Sequence, residues 1–345
     1  MQQLNATDGM FLSMDMQHAP QHIAGLNIYD PSTSPNKFVR FKEILKMHEN
    51  RMHRSAIFRR KLAEVPMNFD QPFWVDDPNF DLEFHIRHIA LPKPGDWRQL
   101  CILIARLHSL HLDHSRPLWE TYVIEGLDNV EGLPPGCFAT YTKVHHAAVD
   151  GMGATELQIA VHDFEPNPPA DDQPPPQIVQ SKPSKARLIG AAALNTAKRN
   201  RDLFGYVGDV IKRRKTKQEF ESENGPEPKL GERPVTLFNQ PVSGHMVFSG
   251  IDLPINDMKA IRKAAPGCSL NDVSTTIVSI ALRNYLAGRG EVHEDTLRAM
   301  MPVSLRTAEQ AKAENALQYL LYLEQSLVNK ALSHCINLHH LHGFY

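Results

Sequence analysis

Between Cys137 and Phe164 a β-like run ends and a helix-like run begins, and the rest of the chain is best placed relative to that joint. Cys137-Phe138-Ala139-Thr140-Tyr141-Thr142-Lys143-Val144 is rich in β-branched and aromatic residues and contains neither Gly nor Pro, the composition of a strand. Gly153, Leu157, Ala160, Val161 and Phe164 then recur at helical spacing, which predicts a helix starting close to Gly151. The joint holds two imidazoles and a carboxylate. A rigid strand aims such groups while the turn leaves them reachable. Histidine's unperturbed pKa near ~6.5 lets an imidazole take a proton at neutral pH and return it later, so His145 and His146 are candidate catalytic residues. Asp150 is close enough in sequence to orient an imidazole or to brace the turn through backbone amides, and Gly151 supplies the free φ or close approach such a turn needs.

At 345 residues the chain is long enough for two domains and a sizeable core. A formal charge of -2 argues against nucleic acid as a general partner. Cys101, Cys137, Cys268 and Cys335 show no CxxC spacing and read as unpaired, which fits a reducing cytosol. The first residues lack a basic region followed by an apolar run, so no secretory signal is expected. No stretch approaches ~18 uninterrupted apolar residues, so any membrane contact is expected to be peripheral.

In chain order, Phe38, Phe41 and Leu45 share a helical face after Ser34-Pro35, predicting a helix over 36–48. Pro66, Pro72 and Pro78 cut the next segment into short extended pieces around Phe73, Trp74 and Val75, and 84–89 begins with strand-like alternation. Asp96 is placed to cap a helix in which Trp97, Leu100, Cys101, Ile104 and His108 share a face. His108, His111 and His114 invite a metal reading by their spacing, outweighed by that of surface and interface histidines at a helix end, and no metal is expected. Pro117 opens an extended segment in which Trp119 reads as a core anchor. The proline-rich run from 166 to 176 is a linker. Residues 184–217 read as helical, basic and amphipathic: either an anchor on an anionic lipid surface or a crossover helix packed on the domain. After a second linker, Ser269 and Asp272 have capping-box spacing ahead of a helix. A strand follows over 297–305, and 319–332 reads as an apolar helix without partner strands. The expected organisation is 1–164, a linker and crossover over 165–233, and 234–345.

His145-His146-Ala147-Ala148-Val149-Asp150-Gly151 resembles the HHxxxDG motif of the chloramphenicol-acetyltransferase-like, CoA-dependent acyltransferases, which include peptide-synthetase condensation domains. The blocks Leu4 to Leu26, Phe58 to Leu62, Trp74 to Asp81, His85 to His88, Ser115 to Glu120, Ser269 to Val273 and Pro302 to Arg306 are similar, in order, to the bacterial wax ester synthase/diacylglycerol acyltransferase family. From Leu317 no further family block is found, whereas family members run on, so the resemblance implies a C-terminally truncated second half.

The resemblance implies an α/β (α+β) fold of two mixed-sheet halves flanked by helices, the second incomplete, with the active site in a tunnel between them. It implies an O-acyltransferase that uses acyl-CoA as substrate, with diacylglycerol or a long-chain alcohol as acceptor and no bound cofactor. His146 is then the general base that activates the acceptor hydroxyl for direct attack on the thioester, while His145, Asp150 and Gly151 set geometry. Pro117, Leu118 and Trp119 carry over as the family's PLW block and Asn271 and Asp272 as its ND motif, both near substrate. The location expected is cytoplasmic, with peripheral contact at the inner membrane or lipid bodies through 184–217. Two other readings stay open: an inactive remnant of the same family, and a condensation enzyme of the peptide-synthetase type.

Overall fold

The computed structural model describes residues 1–149, 153–163, 165, 168, 183–197, 235–265, 267–291, 297–303 and 319–325. The chain divides into two compact units, Met1–Glu219 with Val242–Ser249, and Phe220–Pro241 with Gly250–Tyr345.

In the first unit the order is β1 (Gln2–Gln3), α1 (Ala6–Met14), β2 (His22–Tyr29), α2 (Phe41–Arg51), β3 (Arg60–Ala63), β4 (Phe73–Asp76), α3 (Leu82–His85), β5 (Ile86–Ala90), α4 (Trp97–Ser109), β6 (Trp119–Glu125), β7 (Phe138–His145), α5 (Gly153–Val161) and α6 over 185–197. The main sheet is mixed, ordered β2-β7-β6-β5, with β7 antiparallel to both neighbours and β5 parallel to β6. Strand alternation sorts its side chains onto two faces. Trp119, Val123 and Val144 pack with Ile44 of α2 and Leu157 of α5, while Tyr122, Ile124, Ala139 and Tyr141 pack with Leu100, Ile104 and Leu107 of α4. Trp119 is 1% exposed, and burying a side chain of this kind stabilises the fold by about 1.5–3 kcal/mol. A second sheet, β1-β4-β3, is antiparallel, and α6 covers it with Leu188 and Ala192 against Val65 and Phe73. Of the two readings of the basic segment, residues 185–197 thus follow the packed helix; the cluster Lys212-Arg213-Arg214-Lys215 lies outside the described residues.

Local chemistry moved some predicted boundaries. The helix expected over 36–48 begins at Phe41, because the Glu43 carboxylate accepts the Arg40 N–H at 2.8 Å, which leaves Phe38 outside and exposed. The strand expected from Phe84 begins at Ile86, because Asp81 accepts the Glu83 N–H and closes the short turn α3 first. Asp96 caps α4 as expected, accepting the Gln99 N–H at 2.8 Å.

The second unit holds α7 (Ile255–Ala264), α8 (Leu270–Ala287), β8 (Leu297–Val303) and β9 (Tyr319–Gln325). β9 corrects the expectation of an apolar helix over 319–332: Tyr319–Gln325 pairs antiparallel with β8, from Val303 opposite Tyr319 to Leu297 opposite Gln325. A short apolar run suits either state, and an available partner strand decides. Cys101 and Cys137 are free and buried, but Cys268 is disulfide-bonded, against the expectation of unpaired cysteines, which rested on local spacing alone. Among the described residues no helix is long and apolar enough to cross a membrane.

Candidate active site

β7 delivers the histidine pair to the edge of the main sheet, and both flanking strands hold it there. The His145 N–H donates to Leu118 O at 2.9 Å on the β6 side, and the His146 N–H donates to Gln21 O at 2.8 Å on the β2 side. A single 3-10 turn, His146–Ala148, follows, pinned by buried Ala147 and Val149. The two rings leave the strand end into different surroundings.

His145 is 1% exposed. Its Nδ1 accepts the Ala147 N–H at 3.0 Å, so in the neutral ring the proton sits on Nε2. That nitrogen lies 3.5 Å from Asp15 Oδ2. Burial lowers the imidazole's pKa to about 4 despite the opposing pull of Asp15, so the ring is neutral at physiological pH. His145 is built to hold position.

His146 is half-buried, and its ring lies flat on Phe11 of α1, with centroids 3.9 Å apart and planes at 13°. Its Nδ1 is buried without a hydrogen-bond partner, and among the described residues no hydrogen bond engages its Nε2. An imidazole stacked on one face and unpartnered at its nitrogens is free to exchange a proton with an incoming group.

Asp15, at the C-terminal end of α1, is a carboxylate that the fold brings to the pair. Its Oδ1 accepts the Gln21 N–H at 2.9 Å, His114 Nε2 stands 3.0 Å from Oδ2, and His111 Nδ1 stands 3.3 Å from Oδ1. Burial pushes its pKa up, but the Gln21 amide and the His145 and His111 rings outweigh this and lower it overall. Asp15, His114 and His145 present ligand atoms within 4.8 Å of one another, a spacing that suits a cation. The tautomer argues otherwise: with Nδ1 of His145 already an acceptor, its Nε2 has no lone pair to offer unless that bond breaks. Nor do His108, His111 and His114 converge: His108 Nδ1 bonds Tyr141 OH at 2.6 Å and its carbonyl accepts from His22 Nε2 at 2.8 Å.

Beneath the pair, on the α4 side of the sheet, Lys143 is fully buried. Its ammonium donates to the carbonyls of Leu107 and Leu110 at the end of α4, at 3.2 and 2.6 Å, with the Glu120 carboxylate 3.8 Å away. Burial lowers its pKa and Glu120 opposes the shift. Helix C-terminal carbonyls favour a cation, so this lysine ties α4 to the strand that carries the motif.

Pro117, Leu118 and Trp119 are buried. Trp119 donates from Nε1 to Phe58 O at 3.0 Å, and its own carbonyl is bonded by His85 Nδ1 at 2.7 Å. Leu118 meets the motif through its backbone carbonyl, and Trp119 shares a core cluster with Val149 of the motif. Asn271 and Asp272 lie in the first turn of α8 in the second unit, where Asp272 and Ser269 form a reciprocal cap: Asp272 N–H to Ser269 Oγ at 3.2 Å and Ser269 N–H to Asp272 Oδ2 at 2.7 Å. Asp150 and Gly151 lie outside the described residues. Asp15 and Phe11 were not singled out from sequence; their spacing of one helical turn in the Leu4 to Leu26 block was the available signal.

A mixed sheet with helices on both faces and a histidine pair at the end of a central strand define a protein of the CoA-dependent acyltransferase-like class. Residues 4–274 match the wax ester synthase/diacylglycerol acyltransferase catalytic domain, and the chain belongs to that family. It is similar to "Putative diacyglycerol O-acyltransferase Rv3087" of Mycobacterium tuberculosis, 31% identical over 314 residues, covering 89% of this chain and 64% of the relative. Against the solved wax ester synthase/diacylglycerol acyltransferase from Marinobacter aquaeolei VT8 the TM-score is 0.59 at 26% identity, over 98% of this chain and 70% of that one. The first condensation domain of the calcium-dependent antibiotic synthetase shares the fold at 13% identity, with a TM-score of 0.53 over 99% and 75% of the two chains. The chain thus spans about two thirds of the length of these relatives.

Proposed function

We propose that the chain is an O-acyltransferase that moves a long-chain acyl group from acyl-CoA to the hydroxyl of diacylglycerol or of a long-chain alcohol. The observation that carries this reading is the division of labour in the pair. His145 is fixed by the Ala147 N–H at Nδ1 and faces Asp15 at 3.5 Å from Nε2, while His146 stands stacked on Phe11 with no hydrogen bond at either ring nitrogen among the described residues. His146 removes the acceptor's hydroxyl proton as the oxygen attacks the thioester carbonyl. The tetrahedral intermediate collapses with cleavage of the C–S bond, and the imidazolium returns its proton to the departing CoA thiolate. No acyl-enzyme forms. The Ala147 N–H is taken by His145, which removes it from the donors open to the oxyanion. A protein of the same fold, a mutant of the starter condensation domain of rhizomide synthetase, was determined in complex with C8-CoA, in keeping with a CoA-linked acyl donor. Pro117, Leu118, Trp119, Asn271 and Asp272 act in this reading by fixing the motif strand and the second unit, Asp150 and Gly151 by shaping the turn.

The test is release of free thiol from palmitoyl-CoA by the purified chain, with and without diacylglycerol or a long-chain alcohol. Acceptor-dependent release is expected, falling about 10²–10⁴-fold in His146→Ala. Equal turnover in that variant removes His146 from the mechanism. No release from folded wild-type protein moves the reading to an inactive member of the family, and dependence on an acyl carrier to a condensation enzyme.

A further inference from the structure

α1 meets the histidine pair with two side chains one helical turn apart, Phe11 and Asp15, and each takes one of the two rings. We infer that α1 is the positioning element of the pair, with Asp15 as the carboxylate that holds both histidines and Phe11 as the seat for His146. The inference concerns the site used in the proposed acyl transfer and rests on that reading for its kinetic consequence.

Asp15 reaches the pair by two routes. Directly, Oδ2 lies 3.5 Å from His145 Nε2, the nitrogen that carries the proton. This is long for a hydrogen bond but close for an electrostatic contact between buried groups. Indirectly, Oδ1 accepts the Gln21 N–H at 2.9 Å, and the carbonyl of the same Gln21 accepts the His146 N–H at 2.8 Å. One side chain therefore fixes the ring of the first histidine and the backbone of the second. The Nε2–H of this 1% exposed imidazole makes no hydrogen bond among the described residues, so the Asp15 carboxylate at 3.5 Å offsets its burial electrostatically. His111 and His114 approach the same carboxylate from the connection between α4 and β6 and hold it in place. Phe11 completes the arrangement by fixing the plane of the His146 ring, so that one ring nitrogen is carried into the protein and the other away from it. The assignment gives the orienting task to a residue outside the HHxxxDG motif.

The experiment compares wild type, Asp15→Ala and Asp15→Asn in the full chain, with Asp96→Ala, which removes the cap of α4 away from the pair, as a stability control. In Asp15→Ala, kcat is expected to fall about a hundredfold with KM for palmitoyl-CoA unchanged, as for a displaced catalytic group. Asp15→Asn keeps an acceptor for the Gln21 N–H and is expected to recover part of the loss. Imidazole 15N NMR supplies a readout independent of turnover: the His145 Nε2–H resonance is expected in wild type and is expected to shift or vanish in Asp15→Ala. Unchanged ring resonances, an unchanged kcat, or an equal fall in kcat in Asp96→Ala at matched stability would overturn the inference. If Asp15→Ala does not fold, Asp15→Asn carries the same comparisons. If wild type transfers no acyl group, the acyltransferase reading fails by itself and the ring resonance still decides whether Asp15 positions His145.

Discussion

His22 pairs with His145 across β2 and β7, and its side chain faces α4, where Nε2 donates to the His108 carbonyl at 2.8 Å. Burial first, then the nearby Lys143 cation, lowers its pKa from 6.5 to about 3. The unfolded chain therefore binds a proton at this ring below about pH 6.5 that the folded chain refuses until about pH 3, so stability rises with pH across that window and is lost as pH falls through it. One such proton sets a slope of at most about 1.4 kcal/mol per pH unit. Urea denaturation between pH 4 and 7 should show a shallower slope in His22→Asn than in wild type; identical slopes would mean the ring is protonated in the folded state. The buried rings of His48 and His85 and the half-buried ring of His108, also shifted down mainly by desolvation, add to the wild-type slope. At this scale the sequence marked the histidine pair as the candidate, and only the family resemblance, not the residues themselves, told its members apart. His145 and His146 are adjacent and chemically identical in the string, and only the contacts of α1 and Ala147, made across distant segments, separate a locked ring from an open one.

Elements were legible where short-range chemistry decides them. β7 and α4 stand where β-branched and aromatic composition and the Asp96 cap placed them, and Ser269 and Asp272 make the reciprocal cap their spacing announced. α8 needs that cap: its first-turn N–H groups have no intrahelical partners, and Ser269 Oγ satisfies that of Asp272. Ser269→Ala is expected to destabilise α8 by about 1 kcal/mol, read as faster amide exchange in its first turn. Replacement of Ser269 by Asp should restore protection; if neither variant moves exchange there, the cap is not what starts the helix. Elements were misread where a distant partner decides. Tyr319–Gln325 carries no local sign of β8, and the turn at Leu82–His85 takes residues that alternation alone assigned to a strand. The PLW block shows a related limit. Its likeness to a family motif pointed to substrate, and what the contacts add is that all three residues are buried and that the Leu118 carbonyl holds His145.

Among the described residues, the two units differ in how much apolar surface they remove from water. In the first, both faces of a four-stranded sheet are covered, by α4 on one side and by α2 and α5 on the other, and the histidine pair sits at the end of its central strand. In the second, the described side chains buried are few, among them Cys268, Val273 and Leu286, while Ile255, Ile261, Val278 and Ile280 on α7 and α8 stay exposed. Burial supplies roughly 25 cal/mol per Å² of apolar surface, so the same helical hydrogen bonds open more readily in α7 and α8 than the ladder does in β6 and β7. Hydrogen exchange under native conditions is therefore expected to show β6 and β7 amides opening only with global unfolding, and α7 and α8 amides opening roughly 2 kcal/mol or more below it. The comparison matters for function because it separates preservation of the histidine pair from integrity of the second unit. If α8 proves as well protected as β7, its exposed apolar residues are covered in solution, and the measured stability belongs to a more fully packed second unit than its own described contacts provide. If the difference holds, the pair can stay ordered while the second unit opens, and loss of acyl transfer under mild denaturant would precede loss of the Nε2–H signal of His145.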